Sequence, residues 1–154
     1  TNNYQSYSRG EDRNIIEVNK LNFTVRLLPL ICYEIIYTGN IFNSRDFDFI
    51  VNISEDGWFG HSIGPHQHFA HSIYRAIESG KYVLRSANNG ITAIINPLGV
   101  VEKQVGLNKS GFVDLFETKK VEPTIFSKYG NKIFIIIILM YIFLIFSLQK
   151  TNNE

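Results

Sequence analysis

From Ile133 to Leu148 the sequence reads IFIIIILMYIFLIFSL, a run of about 16 residues without a charge in which only Tyr141 and Ser147 carry polar side-chain groups. Such a run needs lipid or a deep core around it. As a helix it would be roughly 24 Å long, slightly short of the ~20 residues that a bilayer core asks for. Lys132 and Lys150 can snorkel from its ends, and Tyr129 and Tyr141 suit an interface. The expected element is a transmembrane helix over 130–150, followed by a tail at 151–154. Lys119, Lys120, Lys128 and Lys132 precede the span and Lys150 follows it. Taken alone, that distribution places the body in the cytoplasm.

Composition narrows what the body can do. Of 154 residues, 15 are Lys or Arg and 14 are Asp or Glu, giving a net charge of +1. That is too little positive surface to hold nucleic acid through its phosphates. The single cysteine, Cys32, excludes an internal disulfide and a Cys-based zinc cluster. The length allows one domain. The chain opens on Thr1 and its one methionine is Met140, inside the apolar run, so the sequence reads as part of something longer.

Ahead of the span the pattern is that of an α/β domain. Residues 1–22 are polar and weakly patterned and read as loop-like. Phe23 to Ile31 (FTVRLLPLI) is dense in apolar and β-branched residues and predicts a buried strand, with Pro29 implying an irregular or edge position near its end. A short helix is expected from Tyr33 to Phe42, a strand over Phe47 to Ile53, and a Gly-rich loop from Ser54 to Gly64. Pro65 suits the first turn of a helix that Gly80 ends. Phe69, Ile73, Ala76 and Ile77 share one face of it, with Arg75 and Glu78 elsewhere. Tyr82 to Ser86 and Ile91 to Asn96 read as strands joined by the turn Ala87-Asn88-Asn89-Gly90. Val100 to Val105 and Gly111 to Phe116 are the last candidate strands. The alternation of strand and helix makes the early strands parallel.

Few residues here can carry chemistry. Cys32 stands where an apolar strand gives way to a helix, the setting that exposes a nucleophile and favours its thiolate. The alternative is a small buried hydrophobe. Glu34, two residues on, is an acid beside an apolar strand end and needs a partner there, unless it is an exposed first-turn carboxylate. His61, His66, His68 and His71 fall in one segment. His68 and His71 could share a helix face, but no neighbouring carboxylate or thiol completes a metal signature, so no metal is assigned. Trp58 and Phe59, flanked by Gly57 and Gly60, are either core aromatics or the cap of a pocket. Arg85, in an otherwise apolar strand, reads as a buried hydrogen-bond organiser.

Four stretches in register are more specific than any of these alone. Ile31-Cys32-Tyr33-Glu34-Ile35, then residues 52–60 (NISEDGWFG), 62–69 (SIGPHQHF) and 84–92 (LRSANNGIT) closely resemble the apolipoprotein N-acyltransferases. These are bacterial membrane enzymes whose extracytoplasmic domain has the nitrilase fold. The match runs from about Phe23 to Phe116, and the apolar tail is similar to that family's last transmembrane helix. The resemblance implies part of a nitrilase-like α-β-β-α sandwich over 23–129, followed by one transmembrane helix.

It also implies an acyl transfer in two steps without a cofactor. A thiol takes the acyl chain from a phospholipid donor, and the α-amino group of a diacylglyceryl apolipoprotein then accepts it. On this resemblance Cys32 matches the nucleophile, Tyr33 and Glu34 its supporting neighbours, and Trp58 and Phe59 the substrate-binding loop. The body would sit on the periplasmic side of the bacterial inner membrane. That placement opposes the lysine distribution, but earlier helices largely set topology in a multi-span protein. The family's general-base glutamate and oxyanion-binding lysine lie in Trp-Pro-Glu and Tyr-Asp-Lys motifs before the cysteine. Neither motif occurs between Thr1 and Ile31, and Glu11, Glu17 and Lys20 lack their context. The expectation is therefore a carboxy-terminal piece, inactive when isolated. A nitrilase-type amidase and a non-catalytic membrane-anchored remnant are the alternatives.

Overall fold

The computed structural model describes residues 14–20, 22–39, 46–119, 121–122 and 124–152. Most of the polar segment at 1–22, the end of the helix expected to reach Phe42, and the Lys120 and Lys150 side chains lie outside the described residues. Six strands form one mixed sheet in sequential order: β1 (Ile16–Lys20), β2 (Phe23–Ile31), β3 (Phe49–Glu55), β4 (Tyr82–Asn88), β5 (Thr92–Ile95) and β6 (Val101–Val105). β2, β3 and β4 are parallel, as the strand–helix alternation predicts, while β1, β5 and β6 add antiparallel edges.

β2 occupies Phe23–Ile31, the range the sequence predicts. Its Pro29 is accommodated because β1 stops pairing at Leu27, so Pro29 lies beside β3 alone and no N–H is missed on the other side. β1 corrects the loop-like reading of 1–22: Ile16 and Val18 alternate with polar residues and are exposed, so the pattern gave little sign of a strand. The stretch Gly111–Phe116 is not a strand. Lys103 holds it instead, donating Nζ–H to the Asp114 carbonyl at 2.7 Å and lying 4.7 Å from the Phe116 ring centre, so side-chain contacts replace a ladder along β6.

α1 (Gly64–Ser79) crosses one face of the sheet and packs on it with the apolar side of Phe69 and Ala76. Pro65 lies in its first turn, and Gly80 ends it with φ +66°, a left-handed geometry in which a Cβ is strained. Leu28, Leu30, Ile50, Val83 and Ile95 are buried beneath it with Ile35, each contributing about 1.5–3 kcal/mol of transfer free energy. The opposite sheet face is more open: Ile31 and Ile53 are 57% and 54% exposed.

Arg75 and Glu78 do not lie apart from this packing. Both are buried, 5% and 6% exposed, and pair at 2.7 Å across one helical turn. Glu78 also accepts from Thr38 Oγ at 3.0 Å and from the Gly39 N–H at 2.9 Å, while Arg75 donates to the Tyr37 carbonyl. The pair anchors the segment that leaves β2. Glu78→Gln would leave Arg75 charged and underpaired, and is expected to cost about 3 kcal/mol. Thermal unfolding of the detergent-solubilised chain by circular dichroism checks this.

The chain then forms a short helix, α2 (Ile125–Tyr129), whose Thr124 cap accepts from the Ser127 N–H and donates to the Glu78 carbonyl at 2.8 Å. α3 (Lys132–Asn152) follows with 21 residues, about 31 Å at the helical rise, so the helix is longer than its apolar run. It is long and apolar enough to cross a membrane, and none of the window Lys132–Gln149 is buried.

Candidate active site

At the carboxyl end of β2 the chain turns sharply. Cys32 has φ +49°, a region that a residue with a Cβ occupies only at a cost of about 1–3 kcal/mol. The helix expected to follow is a single 3₁₀ turn, Cys32–Ile36. Five residues make a weak dipole, so helix-terminal electrostatics is a minor influence on this thiol. Glu34 accepts the Ile31 N–H at 2.7 Å and so closes the turn around Cys32. The Cys32 sulphur is partly buried, 3.7 Å from Ser54 Oγ and 4.0 Å from the Glu55 carbonyl.

Beneath this turn lies a polar cluster that sequence reasoning found only in part. Asn52, Ser54, Asp56, His68, Ser72 and Arg85 are all buried, drawn from β3 and its carboxyl end, α1 and β4. Arg85 donates to Asp56 Oδ2 at 2.7 Å, to the Ile91 carbonyl at 3.2 Å, to Ser72 Oγ at 3.4 Å and to Asn52 Oδ1. It is the buried organiser that its apolar strand suggested. Asp56 Oδ1 lies 2.8 Å from His68 Nδ1 and accepts from Ser54 Oγ at 2.8 Å. Asn52 donates to the Leu30 carbonyl at 2.9 Å and to the Cys32 carbonyl at 3.3 Å. His68 Nε2 meets the same Cys32 carbonyl at 3.2 Å.

Burial opposes the charge on Asp56. The bonds from His68 and Ser54 and the Arg85 guanidinium outweigh it and hold the carboxyl at about 2. Arg85 is moved down by burial, against the pull of Asp56. Because Asp56 titrates lower folded than unfolded, its contribution to stability is complete above pH 3.8 and is lost as pH falls from there through about 2. Acid unfolding followed by circular dichroism is expected to show this component, and Asp56→Asn to lack it. Gly90 backs this carboxylate: a Cβ there would collide with Asp56 Oδ2, so no side chain fits without displacing the carboxylate from Arg85.

The other candidates surround this centre. Tyr33 is exposed, yet its ring lies 5.5 Å from that of His68, and Phe59 flanks the same imidazole at 5.6 Å. Trp58 is 86% exposed on the neighbouring 3₁₀ turn, Gly57–Phe59. Glu55 ties that turn to the β4–β5 turn, accepting from the Gly57 N–H at 2.6 Å and from the Asn88 and Asn89 amides. Those bonds, the one from Gly57 foremost, hold its carboxyl below the usual range. His68 and His71 do not converge: His68 is engaged with Asp56, and His71 packs edge-on against Tyr74. Among the described residues no group of three potential ligands could hold a metal ion.

Chemically, the arrangement presents one sulphur on a strained turn whose backbone is fixed from below by charged, water-excluded groups. Residues 3–115 match the carbon-nitrogen hydrolase family. The chain is 43% identical over 147 residues to the apolipoprotein N-acyltransferase of Rickettsia bellii, covering 94% of this chain and 29% of that protein. It is 39% identical over 150 residues to that of Rickettsia prowazekii, covering 96% and 30%. The Bradyrhizobium diazoefficiens apolipoprotein N-acyltransferase is 43% identical over 105 residues, 68% of this chain and 20% of its own. The chain thus spans less than a third of the length of these curated relatives. Among solved structures, an amidase from Nesterenkonia aligns with a TM-score of 0.47 at 14% identity, over 67% of this chain and 41% of its own.

Proposed function

Because the chain belongs to the carbon-nitrogen hydrolase family, we propose that it forms the cysteine-bearing part of an apolipoprotein N-acyltransferase that works at the bacterial inner membrane, its body on the periplasmic side. The observation that carries this is Cys32, held at φ +49° on the turn after β2 within a sequence 43% identical to such an enzyme. In the first step the Cys32 sulphur attacks the carbonyl carbon of a phospholipid ester. A C–S bond forms, the ester C–O bond breaks, and the lysophospholipid leaves with the thiol proton. In the second, the α-amino group of a diacylglyceryl apolipoprotein attacks the thioester, an amide C–N bond forms, and the thiol is regenerated. A thioester divides one difficult transfer into two easier ones.

Tyr33 and Glu34 support the sulphur, Glu34 by closing the turn. Exposed Trp58 and its neighbour Phe59 offer apolar surface for the acyl chain. α3 spans the membrane that holds both substrates, which favours this reading over hydrolysis of a soluble amide. Turnover by this route also needs a general base and a donor to the developing oxyanion.

The test is a chimera in which this sequence replaces the matching 29% of the Rickettsia bellii enzyme. In membranes of cells lacking their own N-acyltransferase, the chimera is expected to convert a diacylglyceryl lipopeptide to its N-acylated form. A well-expressed chimera that leaves the lipopeptide unmodified would favour a non-catalytic remnant, and one that instead hydrolyses simple amides would favour an amidase.

A further inference from the structure

The buried cluster beneath Cys32 has a consequence that depends on the donors and acceptors of a single ring. His68 is 2% exposed, clamped between Tyr33 and Phe59, and each of its nitrogens faces an oxygen. Nδ1 lies 2.8 Å from Asp56 Oδ1, a carboxylate oxygen that can only accept. Nε2 lies 3.2 Å from the Cys32 carbonyl, which likewise can only accept. A lone pair on Nε2 aimed at that carbonyl oxygen would be repulsive, so Nε2 carries the proton that faces Cys32; Nδ1 lies between Asp56 Oδ1 and, at 3.3 Å, Arg85 Nη2.

We infer that His68 is a positioning residue: its Nε2–H grips the Cys32 carbonyl and holds the nucleophile's backbone in its left-handed turn. This rests on the reading of Cys32 as the nucleophile, and extends it to a residue that touches neither substrate nor sulphur. Asp56 and Arg85 are its anchors. Asp56 fixes the ring through Nδ1, and Arg85 fixes Asp56 through Oδ2 while its second amino group donates to Asn52, whose own amide grips the Cys32 carbonyl beside His68. The cluster is thus a two-pronged clamp, one prong from α1 and one from β3, closing on one carbonyl oxygen.

The groups facing the ring are Asp56 from the end of β3, Arg85 from β4, Tyr33 and the Cys32 backbone from the turn after β2, and Phe59 from the turn before α1. On α1 itself, His71 is pushed down by burial and then by Arg75 and His68.

Two measurements on the full chain in detergent micelles test this. With ¹⁵N-labelled histidine, the resonances lost in His68→Gln are expected to show, in the wild type, a protonated Nε2. An Nε2 without a proton would overturn the clamp. Alkylation of Cys32 by iodoacetamide gives the second readout. His68→Ala is expected to slow it by about tenfold or more, and His68→Gln, which can still present an N–H to the carbonyl, to recover part of the loss. Equal rates in wild type and both variants, or equally slow rates in the two variants, would overturn it. The resonance measurement is made on the wild type and stands even if His68→Ala does not fold. Iodoacetamide needs neither phospholipid nor acceptor, so a His68-dependent alkylation beside an inactive chimera would retire the acyl-transfer reading and leave the clamp in place.

Discussion

Asp56→Ala is expected to destabilise the fold by about 3–5 kcal/mol, the range found when one partner of a buried ion pair is deleted. Two donors depend on this carboxylate, Arg85 at 2.7 Å and His68 at 2.8 Å, and all three side chains are essentially inaccessible to solvent. Removing it leaves positive charge in a site that water does not reach. Against a domain stability of roughly 5–15 kcal/mol that is a large fraction. Asp56→Asn retains an acceptor oxygen and is expected to lose less. Thermal unfolding of the solubilised chain ranks the three proteins, and a melting curve for Asp56→Ala that overlays the wild type would contradict the assignment of charge to this cluster.

At Cys32, stability and activity are expected to move in opposite directions. In the chimera, Cys32→Ala or Cys32→Gly should abolish acyl transfer, a loss of about 10⁴-fold or more, as when a catalytic nucleophile is deleted elsewhere. Cys32 sits at φ +49°, where a Cβ is strained and glycine is not. Cys32→Gly should therefore be about 1 kcal/mol more stable than Cys32→Ala, although glycine ordinarily destabilises. A chain selected for stability alone would have glycine here. Residual transfer in both variants would place the nucleophile elsewhere, and a less stable glycine variant would mean that the turn is not strained.

Much of this architecture was legible in the sequence because its signals are local. The limits of β2, the proline and glycine that bound α1, and the Asn-Gly turn after β4 all follow from residues within a few positions of one another. Cys32 at a strand end and Arg85 in an apolar strand were legible for the same reason. What escaped depends on contacts far apart in the chain. Asn52 and Arg85 are cross-strand partners of β3 and β4, and nothing in either strand alone announces the other. Asp56 and His68 meet across twelve residues through the packing of α1. The interruption of the FDFIVNI run by Asn52 was the one available hint. Arg75 and Glu78 fall off the apolar face in the helical pattern; their burial comes with contacts to the distant segment Tyr37–Gly39. The turn after Cys32 ends at Ile36, and Tyr37 and Gly39 then meet that pair.

The catalytic assignment is tested most directly by trapping the intermediate. Membranes containing the chimera are incubated with phosphatidylethanolamine labelled in its acyl chains, without any lipoprotein acceptor, and the labelled peptide is identified by mass spectrometry. A thioester on Cys32 predicts label on that residue, released by neutral hydroxylamine, absent in Cys32→Ala, and discharged when a diacylglyceryl lipopeptide is added. Label that resists hydroxylamine, persists in Cys32→Ala or maps to another residue would contradict it.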